Sequence, residues 1–246
     1  MKSILYANRQ SPIRQSTIRN RQSVNRHSPI ANRQCKIPSV SVHVVEHPLV
    51  HDALVTLRDA RTPPEEFRRM AVRISLLLAG EATRDLPASP VTVQTPLGPA
   101  EGRRVSADVV VVPVLRAGLG MLDAILELIP SARVGHIGLQ RDESTAIASQ
   151  YYSKLPRGLA NSVVLMIDPM LATGGSAVAA LDHLAQAGAR DIRMICIVAA
   201  PEGVDMVQKH HPGVRIYTPA IDKHLNDHKY IVPGLGDFGD RLYGTL

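Results

Sequence analysis

Residues 163–177 read VVLMIDPMLATGGSA. An apolar run ends on one carboxylate, Asp168, and passes through Pro169 into the small, hydroxyl-rich turn Thr173-Gly174-Gly175-Ser176. A short continuous aliphatic run of this kind reads as a strand buried on both faces. The stretch that follows, GSAVAALDHLAQAG (175–188), has helical periodicity, and Gly188 can end it in a left-handed conformation. The same alternation fills the second half of the chain. ADVVVVPVL (107–115), ARVGHIGLQ (132–140), SVVLMID (162–168), IRMICIVAA (192–200) and VRIYTPAI (214–221) read as strands. GLGMLDAILELIP (118–130) and PEGVDMVQKHH (201–211) read as helices. Doubly buried strands joined by helical crossovers predict an α/β fold with a central, mostly parallel sheet flanked by helices. Ligands bind beyond the carboxyl ends of such strands, so Asp168 and Arg116 are site candidates on topology alone.

Upstream, VSVHVVEHPLV (40–50) alternates and reads as a short strand. Thr62 is expected to open a helix, with Glu65 completing a capping box and Pro63 at the first helical position. Phe67, Met70, Ile74, Leu77 and Leu78 recur at helical spacing and form an apolar face suited to the core.

The net charge of +6 over 246 residues belongs to one segment. Residues 1–39 carry eight Lys/Arg and no acid; without them, twenty basic residues face twenty-two acidic ones, a net of −2. The words NRQS, RQS and NRHSPIANRQ recur there, a degenerate low-complexity repeat with too few apolar residues to fold alone. The chain therefore divides into a disordered basic extension, 1–39, and one domain, 40–246. A simple tail or a start codon assigned too far upstream, an organellar transit peptide, and an RNA-binding arm all fit the extension, and the sequence leaves them open.

Apolar residues make up 45% of the chain, enough for a sizeable core, whereas aromatics are only 3% with no Trp. That poverty argues against a nucleic-acid surface of stacked aromatics. The two cysteines, Cys35 and Cys196, form neither a zinc spacing nor a disulfide framework. A reducing compartment fits, and the cytoplasm is the expected location. No apolar run approaches the roughly 20 residues of a membrane span, and no secretory signal is present.

The turn after Asp168 carries the chemistry. Its glycines let backbone N–H groups turn inward, and with the helix N-terminus they make an anion site to which Thr173 and Ser176 add hydroxyls. A carboxylate cannot bind phosphate but can accept from sugar hydroxyls, so Asp168 beside such a nest describes a ribose-5-phosphate site. An ordinary glycine-rich strand–helix turn capped by Asp168 fits the same residues. No Lys follows the glycines, so this is not a Walker loop. GLGDFG (234–239) matches a dinucleotide pattern, but the seven residues after Gly239 cannot supply the helix and distant acid it needs. His224 and His228 have helical metal-ligand spacing in a stretch that leads into a Pro-Gly turn, and His210–His211 reads as a solvated helix end.

Several of these segments together resemble the uracil phosphoribosyltransferases, of the type I phosphoribosyltransferase family. DPMLATGGS (168–176) resembles the family's loop for phosphoribosyl pyrophosphate (PRPP), with Pro169 where most relatives outside the uracil group carry a second acid. VVPVLRAGLGM (111–121) is similar to its pyrophosphate loop, and AAPEG (199–203) and YIVPGLGDFGDRLYGT (230–245) to later blocks. The similarity spans about residues 42–246. It implies a type I fold with a C-terminal hood and a β-arm, for which IASQYYSKLP (147–156) is the candidate segment. It implies transfer of ribose phosphate from PRPP to uracil, giving UMP and diphosphate in pyrimidine salvage. Arg116 would bind the diphosphate, and Arg141, in LQRDEST (139–145), would reach it from a mobile loop. Asp168, Pro169, Met170, Leu171, Ala172, Thr173, Gly174, Gly175 and Ser176 would hold ribose and 5-phosphate. The Ile231 carbonyl and amides among Gly236, Asp237 and Phe238 would read uracil. Asp237 would also approach PRPP or its Mg2+, the implied cofactor, with no metal bound by protein side chains alone. The resemblance further implies a homodimer or larger homo-oligomer and, as in some relatives, GTP as an allosteric effector. Many members have a small residue at the position of Phe238, which opens the question of a reshaped pocket wall. STAIASQYY (144–152) departs from the usual sequence after Arg141.

Two rivals remain. A nucleotide-sensing RNA-binding regulator would use residues 1–39 as its arm, but the acidic body and scarce aromatics favour a catalyst. The other is a transferase for another base, for which Pro169 and the YIVPGLGD hood argue against purines and a substrate panel would decide.

Overall fold

The computed structural model describes residues 42–141 and 148–245. The 1–39 segment and residues 142–147 of the loop after Arg141 lie outside the described residues.

Side chains alternate between the two faces of a strand, and the inner strands of this protein are apolar at both sets of positions. β4 (Asp108–Leu115) and β8 (Ser162–Ile167) are the clearest cases. Val109, Val111, Val163, Leu165 and Ile167 enter one core with α1 (Pro48–Arg58), α2 (Pro64–Ala82) and α3 (Leu119–Leu128). Val110, Val112, Val164 and Met166 enter a second core with α4 (Gly175–Gln186) and α5 (Pro201–His210). Each such side chain taken wholly out of water contributes about 1.5–3 kcal/mol, so one strand anchors both layers.

The main sheet has eight strands. Its path is β1 (Val42–Val44), β12 (Arg215–Thr218), β10 (Asp191–Ile195), β8, β4, β6 (His136–Arg141) and β7 (Ala148–Lys154), with β5 (Arg133–Val134) also paired to β4. All pairings are parallel except β6 with β7. From β4 the chain crosses to β5 and β6 on one side; from β8 it crosses to β10 on the other. The β4–β8 pair is thus the point where strand order reverses, and a crevice opens beyond their carboxyl ends. Arg116 and Asp168 are the residues that follow β4 and β8.

Smaller elements complete the domain. β9 (Met170–Leu171) pairs with β11 (Val198–Ala199), and β13 (His224–Leu225) with β14 (Ile231–Val232). β2 (Ala88–Thr95) and β3 (Gly98–Val105) form a separate two-stranded ribbon, and α6 (Phe238–Tyr243) closes the described chain. Among the described residues no helix is long and apolar enough to cross a membrane.

Several sequence expectations need correction. The 40–50 strand ends at Val44; Pro48 then starts α1, and the His47 ring nitrogen Nδ1 accepts from the Leu49 amide at 3.1 Å as its cap. Proline's fixed φ suits a first helical turn better than an inner strand. Thr62 caps nothing: its hydroxyl donates to the Thr56 carbonyl at 2.6 Å, and α2 starts at Pro64 behind Pro63 without a side-chain cap. The apolar face of α2 holds, with Phe67, Ile74 and Leu78 fully buried. The 132–140 run breaks at Gly135, and 192–200 breaks after Ile195, where the chain turns to pair with β9. Gly188 has φ +93°, as the helix stop required. Residues 148–154 are a sheet strand, β7, and the detached ribbon is β2–β3.

Candidate active site

The two strand-end loops touch through a glycine. A Cβ on Gly118 would lie 2.6 Å from the Ile167 carbonyl oxygen and 2.7 Å from that of Val114. Only a residue without a side chain lets the loop after β4 sit against the end of β8. That contact brings exposed Arg116 beside the Asp168 loop. The Leu115–Arg116 peptide is cis.

Asp168 is half-buried; its amide donates to the Ile195 carbonyl at 3.2 Å, and its Oδ1 accepts from the Met170 amide at 3.4 Å. The backbone of Pro169–Ala172 is then clamped. The Pro169 carbonyl accepts from the amides of Ile197 and Val198, and the Leu171 carbonyl from Ala200. Gly203, of the AAPEG segment, packs α5 onto this loop, because a Cβ there would meet the Ala172 carbonyl at 2.5 Å.

Gly174 has φ +83° and stands at the N-terminus of α4. It offers no side-chain cap, and Thr173 Oγ1 accepts from the Gly175 amide at 3.4 Å. A left-handed residue here aims the first amides of a twelve-residue helix outward from its positive end, the arrangement that holds a phosphate. The helix begins at Gly175, the first residue of the 175–188 stretch read as helical.

The C-terminal hood faces these loops. A cavity of about 330 Å3 is bounded by Ala117, Asp168, Met170 and Ala172 on one side and by His228–Ile231 and Gly236–Gly239 on the other. A second cavity of about 940 Å3 shares Ala117, Tyr230, Asp237 and Gly239 with it and extends to Arg116, Gln140 and Tyr151. The structure therefore places Asp168, Ile231, Gly236, Asp237 and Phe238 around the smaller cavity and Arg116 around the larger one, with Asp237 lining both. Arg141 ends β6, whose preceding residue Gln140 lines the larger cavity.

Phe238 answers the question its size raised. It is 1% exposed, its ring meeting Phe67 edge-on at 5.2 Å, and Gly120 leaves room for it. The extra bulk goes into the core. Asp237 is exposed and caps α6, with Oδ1 accepting from the Asp240 amide at 2.9 Å. No cluster of three His, Cys, Asp or Glu suited to a metal exists among the described residues. Asp168 and Asp237, the carboxylates on the smaller cavity's wall, are hard oxygen donors of the kind Mg2+ accepts.

His224 lies in β13 and His228 beyond it, so the two share no helix face. His210 ends α5 exposed, and His211 contacts Asp182 at 2.9 Å. Cys196 is fully buried, and burial pushes its thiol up to about 12, which makes it inert.

Sequence reasoning missed three residues that hold the hood. Arg58 Nη1 donates to the Gly234 carbonyl at 2.9 Å and pairs with Asp222, and Asp222 Oδ2 accepts from the Gly234 amide at 2.8 Å. Arg241 donates to the Leu235 carbonyl at 2.8 Å. Arg241 was within the GDRLYGT block and open to notice; Arg58 and Asp222 carry no local signal.

Residues 44–245 match the family model for uracil phosphoribosyltransferase. The chain is 54% identical to a uracil phosphoribosyltransferase of Dictyoglomus thermophilum over 83% of its own length and 99% of that protein's. It is 52% identical to one from Bacillus licheniformis, over 83% of its own length and 98% of that protein's. It is also similar to the solved structure of a protein from Aquifex aeolicus, with a TM-score of 0.78 and 36% identity over 82% of this chain and 97% of that one. The chain belongs to the uracil phosphoribosyltransferase family.

Proposed function

We propose that this cleft transfers the phosphoribosyl group of PRPP to uracil, releasing diphosphate and forming UMP for pyrimidine salvage. The observation that carries the reading is the joining of the Arg116 and Asp168 loops at the β4–β8 switch point, with the glycine-rich hood on the opposite wall of the same cavity. In the reaction a uracil ring nitrogen bonds to the ribose anomeric carbon. The bond from that carbon to diphosphate breaks, the electron pair leaves on the diphosphate, and the ring-nitrogen proton passes to solvent.

Each residue has a task in this reading. The Arg116 guanidinium neutralises charge growing on the leaving diphosphate, a gain that appears mainly in the transition state. Arg141 is assigned the same group on the resemblance. Asp168 accepts from the ribose hydroxyls, while the amides and hydroxyls of residues 170–176 hold the 5-phosphate. The Ile231 carbonyl and the Gly236–Phe238 amides match the donor and acceptors of the uracil edge and leave cytosine with an unpaired group. Bound Mg2+ would be held by PRPP oxygens and Asp237 and would supply further charge neutralisation. Little acid–base chemistry is needed, so positioning and charge stabilisation carry the rate.

A homodimer or larger assembly, a GTP effector and a cytoplasmic location belong to the same proposal. The β2–β3 ribbon supports assembly, since a lone two-stranded ribbon is marginal in water and a second subunit would cover it. The test is UMP formation assayed with uracil, cytosine, orotate and hypoxanthine side by side. Turnover of uracil alone is expected; equal turnover of another base would overturn the reading.

A further inference from the structure

Arg241 is 7% exposed, yet its three hydrogen-bond acceptors are main-chain carbonyls: Leu57, Asp59 at 2.6 Å and Leu235 at 2.8 Å. Its guanidinium also lies over the Phe67 ring, 4.5 Å from the centroid. Burial pulls its pKa below the ordinary arginine value, with the Asp59 charge acting in the opposite direction. Burying a cation is expensive, and an apolar side chain could have filled the space. The position of the Leu235 carbonyl suggests what the charge is for.

We propose that Arg241 is a positioning residue for base recognition, one that aims the Gly236 amide at the bound pyrimidine. A peptide unit is planar and, when trans, its carbonyl and its N–H point in opposite directions. The Leu235 carbonyl and the Gly236 N–H belong to one peptide unit, and it is not one of the cis bonds found among the described residues. Arg241 draws the carbonyl toward the core, so the amide turns outward to the cavity that Gly236 lines. Gly236 has φ +80°, a left-handed conformation that commits the chain direction just after that peptide. The two preceding units are gripped independently, because Arg58 holds the Gly234 carbonyl and Asp222 the Gly234 amide. Arg241 anchors this peptide to the end of α1, at Leu57, and to Asp59 just after it, so the hood takes its position from elements outside it. The inference rests on the reading of Gly236 as a uracil contact and adds the residue that orients it.

The experiment measures KM for uracil and for PRPP, with melting temperature, in the full chain and in Arg241→Met, Arg241→Lys and Arg193→Met. Arg193 is another buried arginine, in β10, donating to the Ala82 carbonyl at 2.6 Å and outside the hood. Arg241→Met is expected to raise the uracil KM about tenfold, the scale of one misdirected hydrogen bond, and to leave the PRPP KM within about twofold. Arg241→Lys should fall between, since an ammonium cannot span three carbonyls at once, and it decides the matter if the methionine variant fails to fold. Arg193→Met should lower the melting temperature with both KM values unchanged. A wild-type uracil KM in Arg241→Lys, or an equal rise in both KM values, overturns the inference. Failure of the unmodified protein to form UMP would instead overturn the underlying reading.

Discussion

Gly118 packs against Ile167 so closely that a Cβ on it would lie 2.6 Å from the Ile167 carbonyl oxygen. Ile167 is the last residue of β8, and Asp168 follows it. The pyrophosphate-type loop and the ribose-type loop are therefore held together by main-chain contact. Gly118→Ala cannot be absorbed by a flexible side chain, because all three of its nearest atoms are backbone. We expect a loss of about 1–3 kcal/mol, the usual cost of overpacking, and a fall in kcat/KM larger than the stability loss explains. Thermal melts beside steady-state kinetics check this.

Arg116→Ala and Asp168→Asn should fold normally, since both side chains stand at strand ends and not in the core. Turnover should fall about 10²–10³-fold in Arg116→Ala, as it does when a preorganised charge-stabilising donor is removed. Asp168→Asn should act mainly through PRPP. Circular dichroism and UMP-formation rates read the two effects separately; wild-type turnover in either variant would discredit its role.

Gly174→Ala combines a strained φ of +83° with a Cβ 2.9 Å from the Gly203 carbonyl. Its effect should concentrate on the phosphate cradle at the start of α4. The KM for PRPP should rise several-fold more than that for uracil, with a loss of about 1 kcal/mol or more in chemical denaturation.

Acid should weaken the protein through a charge cluster at the other end of the sheet. Arg193 and Arg215 bridge Asp85 and Asp191. Burial opposes ionisation of both carboxyls, but hydrogen bonds and charge from the two guanidiniums outweigh it and hold both below the ordinary carboxylate range. A carboxyl with a lower pKa folded than unfolded stabilises above its unfolded value, about 3.9, and loses that contribution as pH falls through the folded value. The melting temperature should drop below about pH 4, and less steeply in Arg193→Met. A slope unchanged by the substitution would remove this cluster from the acid response.

The sequence determined the parts of this protein that depend on neighbouring residues. Apolar runs such as 163–167 fold as doubly buried strands wherever two layers exist to cover them, and the motif at 168–176 carries its own turn and helix start. The α/β class, the strand-end location of Arg116 and Asp168, and the glycine helix stop at 188 were legible for that reason. Local signals failed where tertiary contact competes with them. Thr62 looked like a cap, but its hydroxyl is claimed by the Thr56 carbonyl, and the 192–200 run bends because its second half finds β9. Only the tertiary structure decided that Phe238 turns its ring into the core against Phe67. Only it joined Arg58, Asp222 and Arg241 to the hood, across 164 residues for the first pair and 184 between Arg241 and Leu57. Contacts between residues so far apart leave no periodicity or spacing in the chain, because they are set by which surfaces meet once the sheet has closed.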